Sequence, residues 1–282
     1  MFYNVRTDLA SESNALYNQS ASALPGVVTN TENQKGFELQ SLEITDSASA
    51  EKLGKPVGKY LTLYLDKLLK RGENAFEDAA LVIAMMLRRL DLPLDGDILI
   101  ACLGNADITP DALGPLAAQS ILVTRHLKKS LPEDFAAFRS VSVVRTGVLG
   151  TTGLESAENV RAACGAVSPV AVIAIDALAS ADLSRLCRTV QISDVGIAPG
   201  SGVGNDRAAL NRDFLGVPVI AVGVPTVIDA AAFSTDEDAK GMFVTPRNID
   251  DLVRRTAKLI GYGINLALHD GINCADLDML LE

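Results

Sequence analysis

Apolar and polar positions follow two different rhythms along this chain. FELQSLEIT (37–45) and YLTLYLD (60–66) carry apolar residues at every second position, the period of strands with one wet face. Further on, DILIACLG (97–104), VAVIAIDA (170–177) and VPVIAVG (217–223) are nearly unbroken apolar runs, joined by the shorter SVSVV (140–144) and TVQISD (189–194). Helical periodicity falls at 112–129 and 155–166 between them, and at 75–90 and 247–270 outside them. Arg88 and Arg89 suit the last turn of the helix at 75–90. Apolar strands alternating with helices predict an α/β fold with a mainly parallel central sheet and helices on both faces, phosphorylase/hydrolase-like, in a single domain.

Residues 1–36 follow neither rhythm. They are rich in Ser, Asn, Thr and Gln, which predicts an N-terminal arm ahead of an α/β domain at 37–282. No apolar run reaches membrane-spanning length, and the first ten residues lack a signal peptide's apolar core, so the expectation is a cytoplasmic chain with no membrane partner. A net charge of −10 without a dense Lys/Arg stripe argues against direct nucleic-acid binding. The four cysteines form no CxxC pair and read as buried thiols. The two histidines, His126 and His269, read as cations near helix ends.

The acids carry more information. In LGNADITPDALGP (103–115), Asp111 follows an apolar strand and precedes a helix; it reads as a helix cap contributing about 1 kcal/mol, or as a functional acid. Asp176 stands in VIAIDALAS, where an ionised group after a buried strand is costly unless paired or used. If those strands are neighbours, the two carboxyl groups share one crevice and one proton, the minimal equipment for metal-free peptide hydrolysis. The Gly-rich loop QISDVGIAPGSGVGNDR (191–207) lacks a nucleotide-binding signature. With Asp194, Gly200, Ser201, Gly202, Gly204 and Asn205 it is expected to shape a substrate cleft by presenting backbone N–H groups. Thr226, three residues before Asp229, reads as a helix-capping arrangement.

The strings LGNADITPDALGP, ILVTRHL, VLGTTGLES, VIAIDALAS, QISDVGIAPGSGVGN, GVPVIAVGVPTVIDA and INLALH occur here in one order, and in that order they closely resemble the germination protease (spore protease) family. The resemblance implies an atypical aspartic peptidase, related in fold to hydrogenase maturation peptidases, that degrades small acid-soluble spore proteins in the spore core. It implies catalytic roles for Asp111 and Asp176, no cofactor, and a homo-oligomer, a tetramer. It also implies a zymogen: Thr7-Asp8-Leu9-Ala10-Ser11-Glu12 matches the family's cleavage pattern with two conservative changes, so self-cleavage is expected between Asp8 and Leu9, with residues 1–8 as propeptide. One departure stands out. Family members carry a longer segment after VPTVIDA, where only residues 231–245 bridge the gap here. Two alternatives stay open: a metal-dependent peptidase using the same acids as ligands, and a non-catalytic binding protein that kept the fold.

Overall fold

The two rhythms become two halves of one sheet. In the computed structural model, which describes residues 7–200, 208–233 and 241–281, the alternating segments form β2 (Phe37–Ile44) and β3 (Gly58–Tyr64), and β1 (Val27–Gln34), from the polar N-terminal region, completes an antiparallel meander with them. The apolar runs form β4 (Ile98–Leu103), β5 (Val141–Gly147), β6 (Ala171–Ser180), β7 (Thr189–Ser193) and β8 (Val219–Asp229), and β9 (Phe243–Val244) adds a short pairing on β8. The strand order is β1-β2-β3-β7-β8-β6-β4-β5. Strands β8, β6, β4 and β5 are parallel, whereas β7 runs antiparallel to both β8 and β3. The α/β class therefore holds, with the parallel portion confined to four strands.

Period-two alternation divides the core. Ile98, Ile100, Cys102, Ile173 and Ile175 point to one face, where helices Ala75–Arg88, Leu113–Ala117 and Ile249–Leu268 cover them. Leu99, Ala101, Val172 and Ala174 point to the other, against helix Ser156–Val167. On that second face, the meander half is covered instead by helix Ala10–Ser20 and helix Ser47–Leu53, around Leu42, Ile44 and Tyr60. Truncating one of these fully buried aliphatic side chains costs about 2–5 kcal/mol, since the pocket collapses only in part.

The polar N-terminal region is built into the fold from residue 7 onward. Helix Ala10–Ser20 docks through Leu9 and Ala10, both fully buried, and β1 is an edge strand whose polar side chains face solvent. The helix expected over 112–129 is broken. Asn265 accepts from the Leu122 N–H (2.9 Å), and Thr124 bonds into β5 through Val141, so tertiary contacts claim residues 121–124 before helix Arg125–Ser130 begins. His126 is exposed near the start of that short helix. His269 follows the end of the last long helix but is buried, and its Nδ1 accepts from the Arg139 N–H (3.2 Å), which requires a neutral ring. Burial pushes its pKa down to about 4, so it is no dipole-complementing cation. Arg88 donates to the Leu266 carbonyl (2.8 Å), at the end of the neighbouring helix. The four cysteines are free; burial pushes the Cys102 and Cys187 thiols up to about 12.

Candidate active site

The turn after β4 aims Asp111 back at the strand it follows. Gly104 makes this possible: its φ is +103°, and a Cβ there would lie 2.1 Å from the Asp111 carbonyl oxygen. The chain then winds through a single 3-10 turn, Thr109–Asp111, and the Asp111 Oδ2 accepts from the Asn105 N–H (2.8 Å). Asp111 is not a helix cap: Ala112 occupies the N-cap of helix Leu113–Ala117 and makes no side-chain cap bond.

Asp176 sits inside β6 rather than at its tip, because β6 continues to Ser180. Its position is nonetheless a boundary. The last β4 residue paired with β6 is Cys102, opposite Ile175, so one edge of β6 opens just where Asp176 begins. Opposite it on the other side is Gly223 of β8. Asp176 is 5% exposed, and its Oδ1 accepts from the Ala177 N–H (3.0 Å).

Asp111 and Asp176 line one cavity of about 490 Å³, and so do Asp8 and Gly200. The N-terminal segment has taken the open edge of β6. Asp8 N–H donates to the Ala179 carbonyl (2.9 Å), and Asp8 Oδ2 accepts from the Ala179 N–H (2.8 Å). Leu9 is fully buried and extended, with φ −81° and ψ 120°. Asp8 also lines a second hollow of about 620 Å³ on the meander side, so the segment runs between the two. Lys55 in that hollow donates to the Thr7 carbonyl (2.8 Å); burial holds its pKa below the usual lysine range, against the opposing pull of Asp8 and Glu12.

Asp194 lies apart. It is exposed, and its Oδ1 accepts from the Lys59 N–H (2.8 Å), tying the end of β7 to β3; it does not line the cavity of Asp111 and Asp176. Ser201, Gly202, Gly204 and Asn205 lie outside the described residues. Thr226 is not a helix cap, because β8 runs straight through it. It is the extra residue at a bulge between the Leu178–Pro225 and Ala179–Val227 pairs. Its hydroxyl is buried with no hydrogen-bond partner among the described residues, as is that of Thr245, and both residues line the Asp111/Asp176 cavity. The Thr226–Asp229 spacing suggested a cap; only the sheet register exposes the bulge. Among the described residues no group of three or more His, Cys, Asp or Glu could hold a metal ion, and no helix is long and apolar enough to cross a membrane.

Comparison with known proteins gives this geometry a setting. The family model described as germination protease matches residues 5–238. A germination protease of Caldanaerobacter subterraneus is 39% identical over 320 aligned positions, covering 99% of this chain and 98% of the relative. That of Clostridium perfringens is 35% identical over 324 positions, covering 99% of this chain and all of the relative. That of Priestia megaterium is 41% identical over 245 positions, covering 83% of this chain and 66% of the relative. Among solved structures, a NiFe hydrogenase maturation protease from Thermococcus kodakarensis aligns with a TM-score of 0.38 and 19% identity, over 65% of this chain and 98% of that one. An alignment of 320 positions exceeds the 282 residues here, so the Caldanaerobacter protein holds at least 38 residues without counterpart in this chain. On the family match and on end-to-end similarity to these peptidases, the chain belongs to the germination protease family.

Proposed function

We propose that this peptidase acts through Asp111 and Asp176 as a shared-proton pair, that it degrades small acid-soluble spore proteins during germination, and that it is made as a zymogen that cuts its own Asp8–Leu9 bond. One observation carries the reading: both acids line a single cavity together with Asp8, the residue before the candidate bond. Two carboxyl groups in one hollow resist ionising together, so one keeps a proton. The ionised member takes a proton from water as that water attacks the Asp8 carbonyl carbon. The protonated member gives its proton to the Leu9 nitrogen as the C–N bond breaks. The extended backbone at Leu9 is the conformation that peptidases accept, and the open edge of β6 supplies main-chain bonds to hold it.

Spore-protein substrates would present the same Thr-to-Glu pattern to the same edge. Assembly as a homotetramer belongs to this reading and is tested by light scattering on the purified chain. The central test is incubation of the pure protein, and of its Asp111→Asn and Asp176→Asn variants, with the spore proteins and with a peptide carrying the Thr7–Glu12 sequence. The wild type cleaves after the Asp and each variant loses cleavage while keeping its fold; full activity in either variant refutes the pair.

A further inference from the structure

Gln191 is a polar residue in a buried strand, 8% exposed, and the acid pair does not use it. Its side-chain amide touches the N-terminal segment on both sides of Leu9. Nε2 donates to the Asp8 carbonyl oxygen (3.3 Å), and Oε1 accepts from the Ala10 N–H (2.9 Å). The orientation of the amide is dictated by its partners, since a carbonyl can only accept and an N–H can only donate. In an extended chain the carbonyl before a residue and the N–H after it point the same way. Gln191 therefore offers Leu9 what a neighbouring strand would, from a single side chain.

The sheet register ties this amide to the acids. Gln191 of β7 is opposite Gly223 of β8, and Gly223 is opposite Asp176 of β6. Residues paired in this way share a face, and two strand spacings separate Gln191 from Asp176 by roughly 10 Å along the row. Between them Gly223 carries no side chain. A Cβ there would lie 2.5 Å from the Leu178 side chain, so glycine lets Leu178 lean across the row between the amide and the acid. Val190 and Ile192 point to the opposite face, which confirms the side on which Gln191 lies.

We infer that Gln191 is a catalytic residue of the self-cleavage reaction, holding the Asp8–Leu9 bond extended and donating to the carbonyl oxygen that becomes the oxyanion. This rests on the reading that Asp8–Leu9 is the bond cut. When water adds to the Asp8 carbonyl carbon, the C=O π pair moves to oxygen, and the Nε2–H already there meets the charge. As the C–N bond breaks, the carbonyl re-forms, the Asp8 carboxyl end leaves, and the Leu9 nitrogen takes the proton from the acid pair. A preorganised donor at such an oxygen accounts for about 10²–10³ in rate.

The test is the rate at which the full-length chain loses its first eight residues, followed by intact-protein mass spectrometry. Gln191→Ala and Gln191→Glu are compared with wild type and Asp176→Asn, with circular dichroism as the check on folding. Both Gln191 variants slow processing about a hundredfold at neutral pH. Gln191→Glu keeps the acceptor for Ala10 but lacks the donor, and it recovers rate as pH falls and its carboxyl group protonates, which a purely structural side chain would not do. Wild-type rates in both variants, beside a dead Asp176→Asn, overturn the role of Gln191 and leave the cleavage reading intact. A wild-type chain cut elsewhere or not at all overturns the reading itself, and the clamp with it.

Discussion

The parallel and antiparallel halves of the sheet use polar residues in opposite ways. β4 is apolar throughout and β6 is apolar up to Asp176, and the acids stand where pairing between these two strands stops: Asp111 after a turn, Asp176 one residue past the last pair. In the antiparallel half the working groups lie inside strands or at their rims, Gln191 in β7 and Lys55 just ahead of β3, on a face that the N-terminal segment covers. Parallel strands buried on both sides leave room for polar side chains where a neighbouring strand ends. Antiparallel strands with one softer face can spend in-strand residues on binding. The candidate cleavage segment lies along the seam, where β7 reverses against β8.

The sharpest way to break this division is to silence the parallel half alone. Asp176→Asn and Asp111→Asn each lower cleavage by about 10³-fold or more, the scale of lost acid–base catalysis, without lowering the melting temperature appreciably. The Asn105 partner is its backbone N–H, which every substitution but proline leaves in place, so Gly104 is the next lever. Gly104→Ala forces a Cβ against the Asp111 backbone at positive φ, costing about 1–3 kcal/mol of stability in a melt and lowering the cleavage rate roughly in step with the displaced carboxylate.

Acid stress should strike the opposite end of the parallel half. His269, neutral and buried, has a folded pKa of about 4 against an ordinary value of 6.5. The unfolded chain binds the proton first, so stability is full above about pH 6.5 and falls as pH drops toward 4, by up to about 3 kcal/mol. Urea titrations at pH 7, 5.5 and 4.5 measure this slope, and His269→Asn flattens it. The smallest effect falls on the antiparallel half. Lys55→Met removes one bond to the Thr7 carbonyl and slows self-processing about tenfold, with the acid pair untouched; intact-protein mass spectrometry over time reads the rate, and an unchanged rate would show that this bond does not help hold the segment.

Much of the parallel half was legible in the sequence, because apolar runs of six or more residues have few other homes. DILIACLG and VAVIAIDA became β4 and β6, and the acids beside them were conspicuous for that reason. What single-chain pattern could not supply was adjacency: that β4 and β6 are neighbours, that β6 outruns β4, and that Asp111 turns back toward Asn105 rather than capping a helix. The antiparallel half was harder. VVTNTENQ is an edge strand with almost no apolar signal, and helix Ala10–Ser20 is secured by the four buried residues at its start, Leu9 to Glu12, rather than by an apolar stripe. Gln191 looked like an ordinary strand position and Thr226 like a cap. Thr226 was misread and Gln191 passed over for one reason: the place of each is set by the register across β7, β8 and β6, which no local periodicity encodes.

Leu9 is wholly buried, with its backbone bound on either side. Hydrolysis of the bond before it would create an ammonium group at Leu9 and a new carboxylate at Asp8, both in a space that had held a neutral peptide. Leaving two unsolvated charges there costs several kcal/mol unless water enters or the ends move apart. The seat that accepts the uncut chain so closely is, by the same closeness, inhospitable to the cut one: the reaction would eject its own products, and the energy of burial would set its direction.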